Sequence, residues 1–393
     1  MPVFAALAGG KVALYRLSAA FDTAGREDLL PKMEAMGIGG RNLKWFRCYL
    51  TDARQRVVWD GQVSGTVDVE YGVRQGSLLG PVLYLLHVSD LPLALEIRDS
   101  DGDSGYADDT AVWVVAEDHD EAQQELQRLV LVVVAYMRAN GLALNGAKTQ
   151  VMVGGKGKPP PTFSINVDGA EVKPGGTFDL LGVTFDRNFT VKPYINSLAR
   201  ESRFRAGRVA RLAQHLPRGQ LLRQLGSGLL MGKLAHCLPV VVRPRLPGST
   251  VATPEALSQV QVAVNDVARS VVGCKREDHV AIVDLLEAAK YLSLNQQAVK
   301  ATAMSAWLAY HSCDGTNGIR NPVGEAMFSG AELPTARSSR SATAGEVRVR
   351  TRGLDTHVTH GLEAWNACRE LRDSRTKAEA CRAATRLARD SPL

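Results

Sequence analysis

Two adjacent carboxylates, Asp108 and Asp109, are the side chains whose types and spacing best suit metal chemistry. Tyr106 and Ala107 precede them, and strand-forming apolar residues flank the segment. Neighbouring side chains on a strand point to opposite faces, but at the tip of a hairpin they can converge. Two carboxylates in apolar surroundings are costly unless a cation neutralises them, and such oxygen ligands suit Mg²⁺. For a bare pair of aspartates, an ordinary turn is the alternative interpretation.

The elements that must position this pair follow from the periodicity of the surrounding sequence. Residues 105–115 predict two strands joined across the aspartates, and residues 121–140 predict a helix with apolar residues at helical spacing. Strands and helices are mixed without strict alternation, which favours an α+β fold. Further elements are expected as follows: a strand at 11–17, a helix opened by Pro31, an apolar helix at 78–91 stopped by Pro92, and strands at 163–167 and 180–185 that close the sheet.

Five short motifs around the aspartates occur in one order along the chain. They are LSAAFDT at 17–23, GVRQGSLLGP at 72–81, YADDT at 106–110, GLALN at 141–145 followed by Lys148-Thr149, and LLGV at 180–183. In this order, and with these gaps, they resemble the motifs of reverse transcriptases from non-LTR (LINE-type) retrotransposons. The set is far more specific than any one of its members. The resemblance covers residues 10–190 strongly and the helical region beyond them more loosely.

The resemblance implies an RNA-directed DNA polymerase with a right-hand palm, in which an antiparallel sheet packs with helices. Such an enzyme adds deoxynucleotides from dNTPs to the 3′-hydroxyl of a DNA primer on an RNA template, using two Mg²⁺ ions. The family's roles carry over to six positions: Asp108 and Asp109 as metal ligands and catalytic residues, Phe21, Gln75 and Gly76 at the bound nucleotide, and Lys148 near the triphosphate as a general acid. A solvated lysine without a role is the alternative at position 148.

One position departs from the family pattern. The family's first motif has a metal-binding aspartate five residues before its aromatic residue, and counting back from Phe21 gives Arg16. A guanidinium has no lone pair to offer a metal and does not deprotonate in proteins. Its repulsion from each dication is roughly several kcal/mol even at an effective dielectric constant near 20. We therefore expect metal occupancy to collapse and polymerisation to fall below detection. Alternatively, Arg16 pairs with Asp108 or Asp109 and fills the site.

The chain is expected to contain four regions. Residues 1–190 would form the palm, with the fingers region largely missing because only about ten residues precede the first strand. Residues 191–330 would form a basic helical thumb and connection, and residues 331–357 a flexible linker, since that stretch is rich in small and polar residues. Residues 358–393 are expected to form an exposed C-terminal helix of mixed charge.

Arginines dominate the predicted thumb. Four of them, spaced by three and five residues on one broad helix face, are candidates for contacts with the phosphates of template and primer: Arg200, Arg203, Arg208 and Arg211. Arg205 lies off that line. A solvated basic face without a ligand is the alternative interpretation.

Composition narrows the classes of protein further. The net charge of +6 is compatible with a polyanionic partner, and none of the six cysteines has the spacing of a zinc knuckle. No signal peptide is visible, and the longest apolar run is too short to span a bilayer, so we expect the nucleus or the cytoplasm rather than secretion. Two alternatives to an active polymerase stay open: a catalytically inactive nucleic-acid-binding remnant, and a fragment that folds poorly and has no function.

Overall fold

A computed structural model describes the chain over these residues: 11–18, 25–51, 53–69, 72, 77–98, 101–107, 109–142, 149–155, 157–249, 254–312, 328 and 357–393. The chain divides into two compact units, residues 2–190 and residues 191–393. Each unit has its own helices and its own buried core.

The first unit contains twelve strands and five helices within its described residues. The strands are β1 (Lys11–Ser18), β2 (Arg54–Gln55), β3 (Val58–Trp59), β4 (Gln62–Val63), β5 (Val67–Asp68), β6 (Gly102–Tyr106), β7 (Asp109–Ala116), β8 (Gln150–Gly154), β9 (Ile165–Val167), β10 (Ala170–Val172), β11 (Thr177–Leu180) and β12 (Val183–Asp186). The helices are α1 (Arg26–Ala35), α2 (Gly40–Leu50), α3 (Gly80–Val88), α4 (Leu91–Leu95) and α5 (His119–Ala139). This mixture, with antiparallel strand pairing, is the α+β class that the sequence predicts.

A four-stranded antiparallel sheet lies at the centre of this unit, in the order β6-β7-β1-β8. One face of the sheet is covered by α5, whose buried side chains recur at helical spacing. They pack with the alternate residues Val112 and Val114 of β7 and with Val151 and Val153 of β8. Asp118 caps α5 by accepting a hydrogen bond from the amide of Glu121, and the helix therefore begins at His119, slightly before the predicted start.

The other face of the sheet carries a smaller cluster of Trp113, Met152, Phe178 and Phe189. Gly102 lies opposite Trp113 in the β6–β7 ladder, and a Cβ atom added at Gly102 would come within 2.1 Å of the indole ring. The ring thus occupies the space that any larger residue at 102 would need.

Two of the predicted helices differ from the structure. Pro31 does not open its helix but lies inside α1, where burial of Leu29 and Met33 outweighs the one backbone hydrogen bond that proline removes. The apolar helix at 78–91 is two helices, α3 and α4, and Pro92 lies in the first turn of the second, where its missing N–H costs nothing.

The strands at 163–167 and 180–185 do not close the central sheet. Strand β9 pairs with β10, and β11 pairs with β12, as two separate two-stranded sheets. Each is a hairpin with short connecting turns, Asp168-Gly169 and Leu181-Gly182, whose residues all have positive φ. Local hairpin pairing satisfies the backbone groups along one edge of each of these strands without joining the larger sheet.

The second unit is helical in its described residues. Its α-helices are α6 (Lys192–Leu212), α7 (Gln220–Gly226), α8 (Gly232–Ala235), α9 (Leu238–Val241), α10 (Glu255–Val272), α11 (Ile282–Ala289), α12 (Leu294–Ser312), α13 (His357–Ala367), α14 (Arg369–Asp373) and α15 (Lys377–Arg389). Helix α6 packs against α10, and α12 packs against both α13 and α15. The predicted linker at 331–357 lies outside the described residues, except for His357 in α13.

The expectation of one exposed C-terminal helix is wrong in two respects. Cys368 and Ser374 take extended backbone conformations, which break the segment into α13, α14 and α15. Thr376 then starts α15 with a capping box formed with Glu379. The three helices are not isolated, since Trp365 and Leu371 are buried in a cluster with residues of α12. Among the described helices, none has the length together with the apolar character needed to cross a membrane.

Candidate active site

The predicted hairpin of the aspartate pair is present as β6 and β7. Tyr106 and Asp109 are its last paired residues, and Ala107 lies in the turn that follows Tyr106. Ala107 has a φ of +52°, a left-handed conformation that a two-residue hairpin turn requires and that costs a residue with a Cβ atom some strain. Asp109 is half-buried at the start of β7. Asp108 lies outside the described residues.

The register of the central sheet relates the hairpin to β1. Ser18 lies opposite Asp109, and Arg16 lies opposite Ala111 on one side and Gln150 of β8 on the other. Since residues two apart on a strand share a face, positions 16 and 18 belong to the same sheet face as position 109. This face is opposite to the one that α5 covers, because α5 packs against the alternate residues of β7.

Two positions beside Arg16 were not singled out from the sequence. Ser18 is the cross-strand neighbour of Asp109, and Gln150 is the neighbour of Arg16 on β8. The side-chain carbonyl of Gln150 accepts a hydrogen bond from the amide of Asp179 in β11, 2.9 Å away. Period-two alternation in β1 and β8 could have placed both residues on this face, but which strands are neighbours is not a local property of the sequence.

The described residues on the sheet face of Asp109 do not by themselves form a metal-binding site. Within the described part of the chain, no three His, Cys, Asp or Glu side chains form a group that could hold one. Asp109 is a suitable oxygen donor, but Arg16, which lies opposite Ala111 on β7, has no acceptor atom. Four other predicted site residues besides Asp108 also lie outside the described residues: Phe21, Gln75, Gly76 and Lys148.

The four arginines predicted to share a face do so on α6. Arg200, Arg203, Arg208 and Arg211 are all exposed, while Ser202, Ala206 and Val209 point into the unit and are buried. Arg205 is off the face, as expected, because it forms an ion pair with Glu201 and donates to the carbonyl of Leu229.

An aromatic side chain that the sequence argument overlooked lies within this arginine face. Phe204 is 57% exposed, and the guanidinium carbon of Arg208 lies 4.6 Å from the centre of its ring. Arg203 is also positioned, since its guanidinium donates to the side-chain carbonyl of Gln259 in α10. The face therefore combines guanidinium groups with an exposed ring, a combination suited to phosphates and unpaired bases.

Comparison with known proteins identifies relatives of the first unit. Residues 14–185 match the family model for reverse transcriptase (RNA-dependent DNA polymerase). The chain is 28% identical over 191 residues to the retrovirus-related Pol polyprotein from type-1 retrotransposable element R2 of Popillia japonica, covering 46% of this chain and 32% of that protein. It is 27% identical over 197 residues to the RNA-directed DNA polymerase from mobile element jockey of Drosophila melanogaster, covering 49% and 21%.

The chain thus spans about a third or less of the length of these two relatives. Among solved structures, apo telomerase from Candida tropicalis is similar, with 10% sequence identity, a TM-score of 0.38, and coverage of 78% of this chain and 50% of that one. The five motifs of the first unit all fall within the matched segment. Residues 14–185 are therefore a reverse transcriptase domain, related to those of the RNA-directed DNA polymerases of non-LTR retrotransposons.

Proposed function

We propose that this chain is an RNA-directed DNA polymerase of retrotransposon origin whose nucleotide transfer is limited by Arg16. The observation that carries this proposal is the register of β1, which puts position 16 on the sheet face of Asp109, two residues from Asp109's own partner Ser18. We infer that a charged residue there acts on the acidic pair, because charges on one sheet face interact strongly when they are partly removed from water.

Divalent ions would need carboxylate oxygens at this face, and Arg16 supplies none. Its positive charge would compete with a metal ion for Asp108 and Asp109. The remaining family roles would be filled by Phe21, Gln75 and Gly76 at the dNTP and by Lys148 near its triphosphate, with all of these residues carried over from the motifs.

The second unit would supply the grip on nucleic acid. In this proposal residues 1–190 act as the palm and residues 191–330 as the thumb and connection, with α6 facing the phosphates of an RNA template and DNA primer. Four exposed arginines on one face support this assignment. Contacts of this kind release counterions, so binding of the hybrid would weaken steeply as salt increases.

Primer extension on an RNA template with Mg²⁺ tests the proposal, with the unmodified chain compared to Arg16→Asp. We expect Arg16→Asp to raise incorporation at least tenfold, because it restores an oxygen donor and removes a cation. Arg382→Asp is the matched control, since it makes the same charge change on an exposed residue of α15. Equal incorporation by the unmodified chain and by Arg16→Asp would refute the role given to Arg16.

A second variant separates repulsion from ligation. Arg16→Leu removes the positive charge without adding a donor, so we expect incorporation between that of the unmodified chain and that of Arg16→Asp. The unmodified chain, Arg16→Asp and Arg16→Leu could all fail to incorporate nucleotides while binding of the RNA–DNA hybrid remains strong and salt-dependent. In that case an inactive nucleic-acid-binding protein becomes the better description. If hybrid binding is absent as well, the proposed function is wrong.

A further inference from the structure

One exposed side of α2, in the first unit, carries two cations and an aromatic ring at helical spacing. Arg41, Lys44 and Trp45 are all exposed, and spacings of three and four residues put them on one side of the helix. The helix contains no acidic residue. None of these residues belongs to the motifs of the proposed active site.

Trp45 is the outermost ring of a stack that is anchored in the core. Its indole is 53% exposed, yet Tyr49 stacks on it with ring centres 5.4 Å apart and planes inclined by only 11°. Phe46 contacts it edge-on, with ring centres 5.1 Å apart. Phe46 and Tyr49 in turn pack against a buried cluster that includes Met33 and Leu83. A ring supported in this way stays in one orientation and loses little freedom when a ligand stacks on it.

The chemistry of this surface favours an unpaired nucleotide as its ligand. A flat aromatic face in water, beside cations and on a helix without carboxylates, binds a base by stacking while the cations attract the adjacent phosphates. A protein partner would need a broader apolar surface, whereas Trp45 is bordered here by Arg41 and Lys44. Bases in a duplex cover one another's faces, so the ligand must be single-stranded.

We infer that the Trp45 face of α2 is a stacking site for a base of single-stranded RNA, with Arg41 and Lys44 beside the phosphates on either side of that base. The assignment to RNA rests on the proposed function, because it takes the bound strand to be template that is not yet paired. The site belongs to the first unit and does not involve the arginine face of α6.

Tryptophan fluorescence gives a direct test on the full chain. Three of the five tryptophans, Trp113, Trp307 and Trp365, are buried, so Trp59→Phe leaves Trp45 as the one exposed indole. In that background a single-stranded RNA of roughly ten nucleotides, a usual site size, should quench the emission and protect it from acrylamide. In the Trp45→Phe chain, whose exposed indole is Trp59, the same RNA should produce little protection. RNA that binds without protecting Trp45 would overturn the inference.

Affinity measurements provide the second readout. Loss of one stacked base corresponds to roughly a five- to hundredfold rise in Kd, so we expect that range for Trp45→Leu. Trp45→Phe keeps an aromatic face and should retain most of the affinity. Trp59→Leu is the matched control, because Trp59 is the other exposed tryptophan, 81% exposed in the hairpin of β3 and β4. An equal loss in Trp45→Leu and Trp59→Leu would contradict a specific site on α2.

The choice of ligands separates this inference from the proposed function. Binding of an RNA duplex should be unchanged by Trp45→Leu, and single-stranded DNA of the same sequence should bind no more tightly than RNA. If DNA binds more tightly, the assignment to template RNA is overturned. If Trp45→Leu leaves RNA affinity unchanged while Arg16→Asp extends primers, the stacking site is wrong and the proposed function stands.

Discussion

The hydroxyl of Tyr136 in α5 donates a hydrogen bond to the carboxylate of Asp90 at the start of α4. Lys32 of α1 joins the pair, because its ammonium lies 2.7 Å from Asp90 Oδ1 and 2.6 Å from the carbonyl oxygen of His87. Desolvation raises the pKa of the Asp90 carboxyl, but the hydrogen bonds from Lys32 and Tyr136 together outweigh it and hold the pKa below its ordinary value. This network links four helices of the first unit, α1, α3, α4 and α5.

Removal of the Tyr136 hydroxyl is expected to weaken that link. A hydrogen bond to a charged group contributes about 1–3 kcal/mol, and Tyr136→Phe removes it while keeping the ring. Hydrogen exchange of α5 amides, measured by mass spectrometry, should therefore be faster in Tyr136→Phe. Tyr310→Phe is the control, since the structure gives Tyr310 ring contacts only and its ring is also retained. Unchanged exchange in α5 would show that the bond contributes nothing to stability.

His87 is expected to make the first unit sensitive to mild acid. Its imidazole is buried and lies 2.9 Å from the carbonyl of Asn140, and desolvation lowers its pKa below the ordinary value, with the nearby Lys32 acting in the same direction. A histidine whose pKa is lower in the folded state than in the unfolded state binds fewer protons when the chain is folded. Its contribution to stability is therefore complete above the unfolded pKa and decreases as the pH falls below that value.

Urea denaturation between about pH 7 and pH 5 measures this effect, because the unfolded imidazole titrates in that range. The denaturation midpoint should decrease as the pH falls, and His87→Gln should reduce that dependence, since glutamine keeps a donor but cannot be protonated. His279→Gln, at an exposed histidine of the second unit, should leave the dependence as it is in the unmodified chain. A His87→Gln profile identical to that of the unmodified chain would contradict the assignment.

Gly102 should tolerate no side chain. A methyl group there would collide with the Trp113 indole, and overpacking of this kind costs about 1–3 kcal/mol. Hydrogen exchange in β6 and β7 should therefore be faster in Gly102→Ala than in the unmodified chain. Gly105→Ala is the matched control in the same strand, because a methyl group there would meet no atom within 4 Å. Equal effects of the two substitutions would mean that the ring moves aside without cost.

The arginine face of α6 leads to a prediction about salt. If each of the four arginines contacts one phosphate, Arg200→Ala should reduce the slope of log K against log salt concentration by about one, and the other three should behave alike. Titration of an RNA–DNA hybrid at several salt concentrations provides the slopes. Arg276→Ala is the control, since that arginine is exposed but forms an ion pair with Asp266. Slopes unaltered by all four substitutions would mean that this face binds no hybrid.

Local features of this fold were predictable from the sequence. The hairpin of β6 and β7 and the helix α5 were predicted because their periodicity and turn residues act over a few neighbouring positions. The shared face of the α6 arginines followed from spacing alone, and its role as a phosphate-binding surface stays a prediction.

Features that depend on distant partners were not predictable in the same way. Nothing local places β1 between β7 and β8, so the neighbours of Arg16 could not be named from the sequence. The C-terminal segment has the composition of one mixed-charge helix, but Trp307 of α12 donates to the carbonyl of Ser374, where the segment is broken. Pro31 was misjudged for a similar reason, because burial of its neighbours outweighed the rule for proline.

The position of β1 in the middle of its sheet also determines when that sheet can assemble on the ribosome. Translation produces β1 first, while β7 and β8, which pair with its two edges, follow only after residues 109 and 150. Until residue 116 has emerged, both edges of β1 lack their native partners, and the edge that pairs with β8 lacks its partner until residue 154 has emerged. Unpaired edges invite association between chains. The pairing that relates positions 16 and 18 to position 109 can therefore form before the sheet is complete, and a chaperone that shields the nascent strand would act before β8 has emerged.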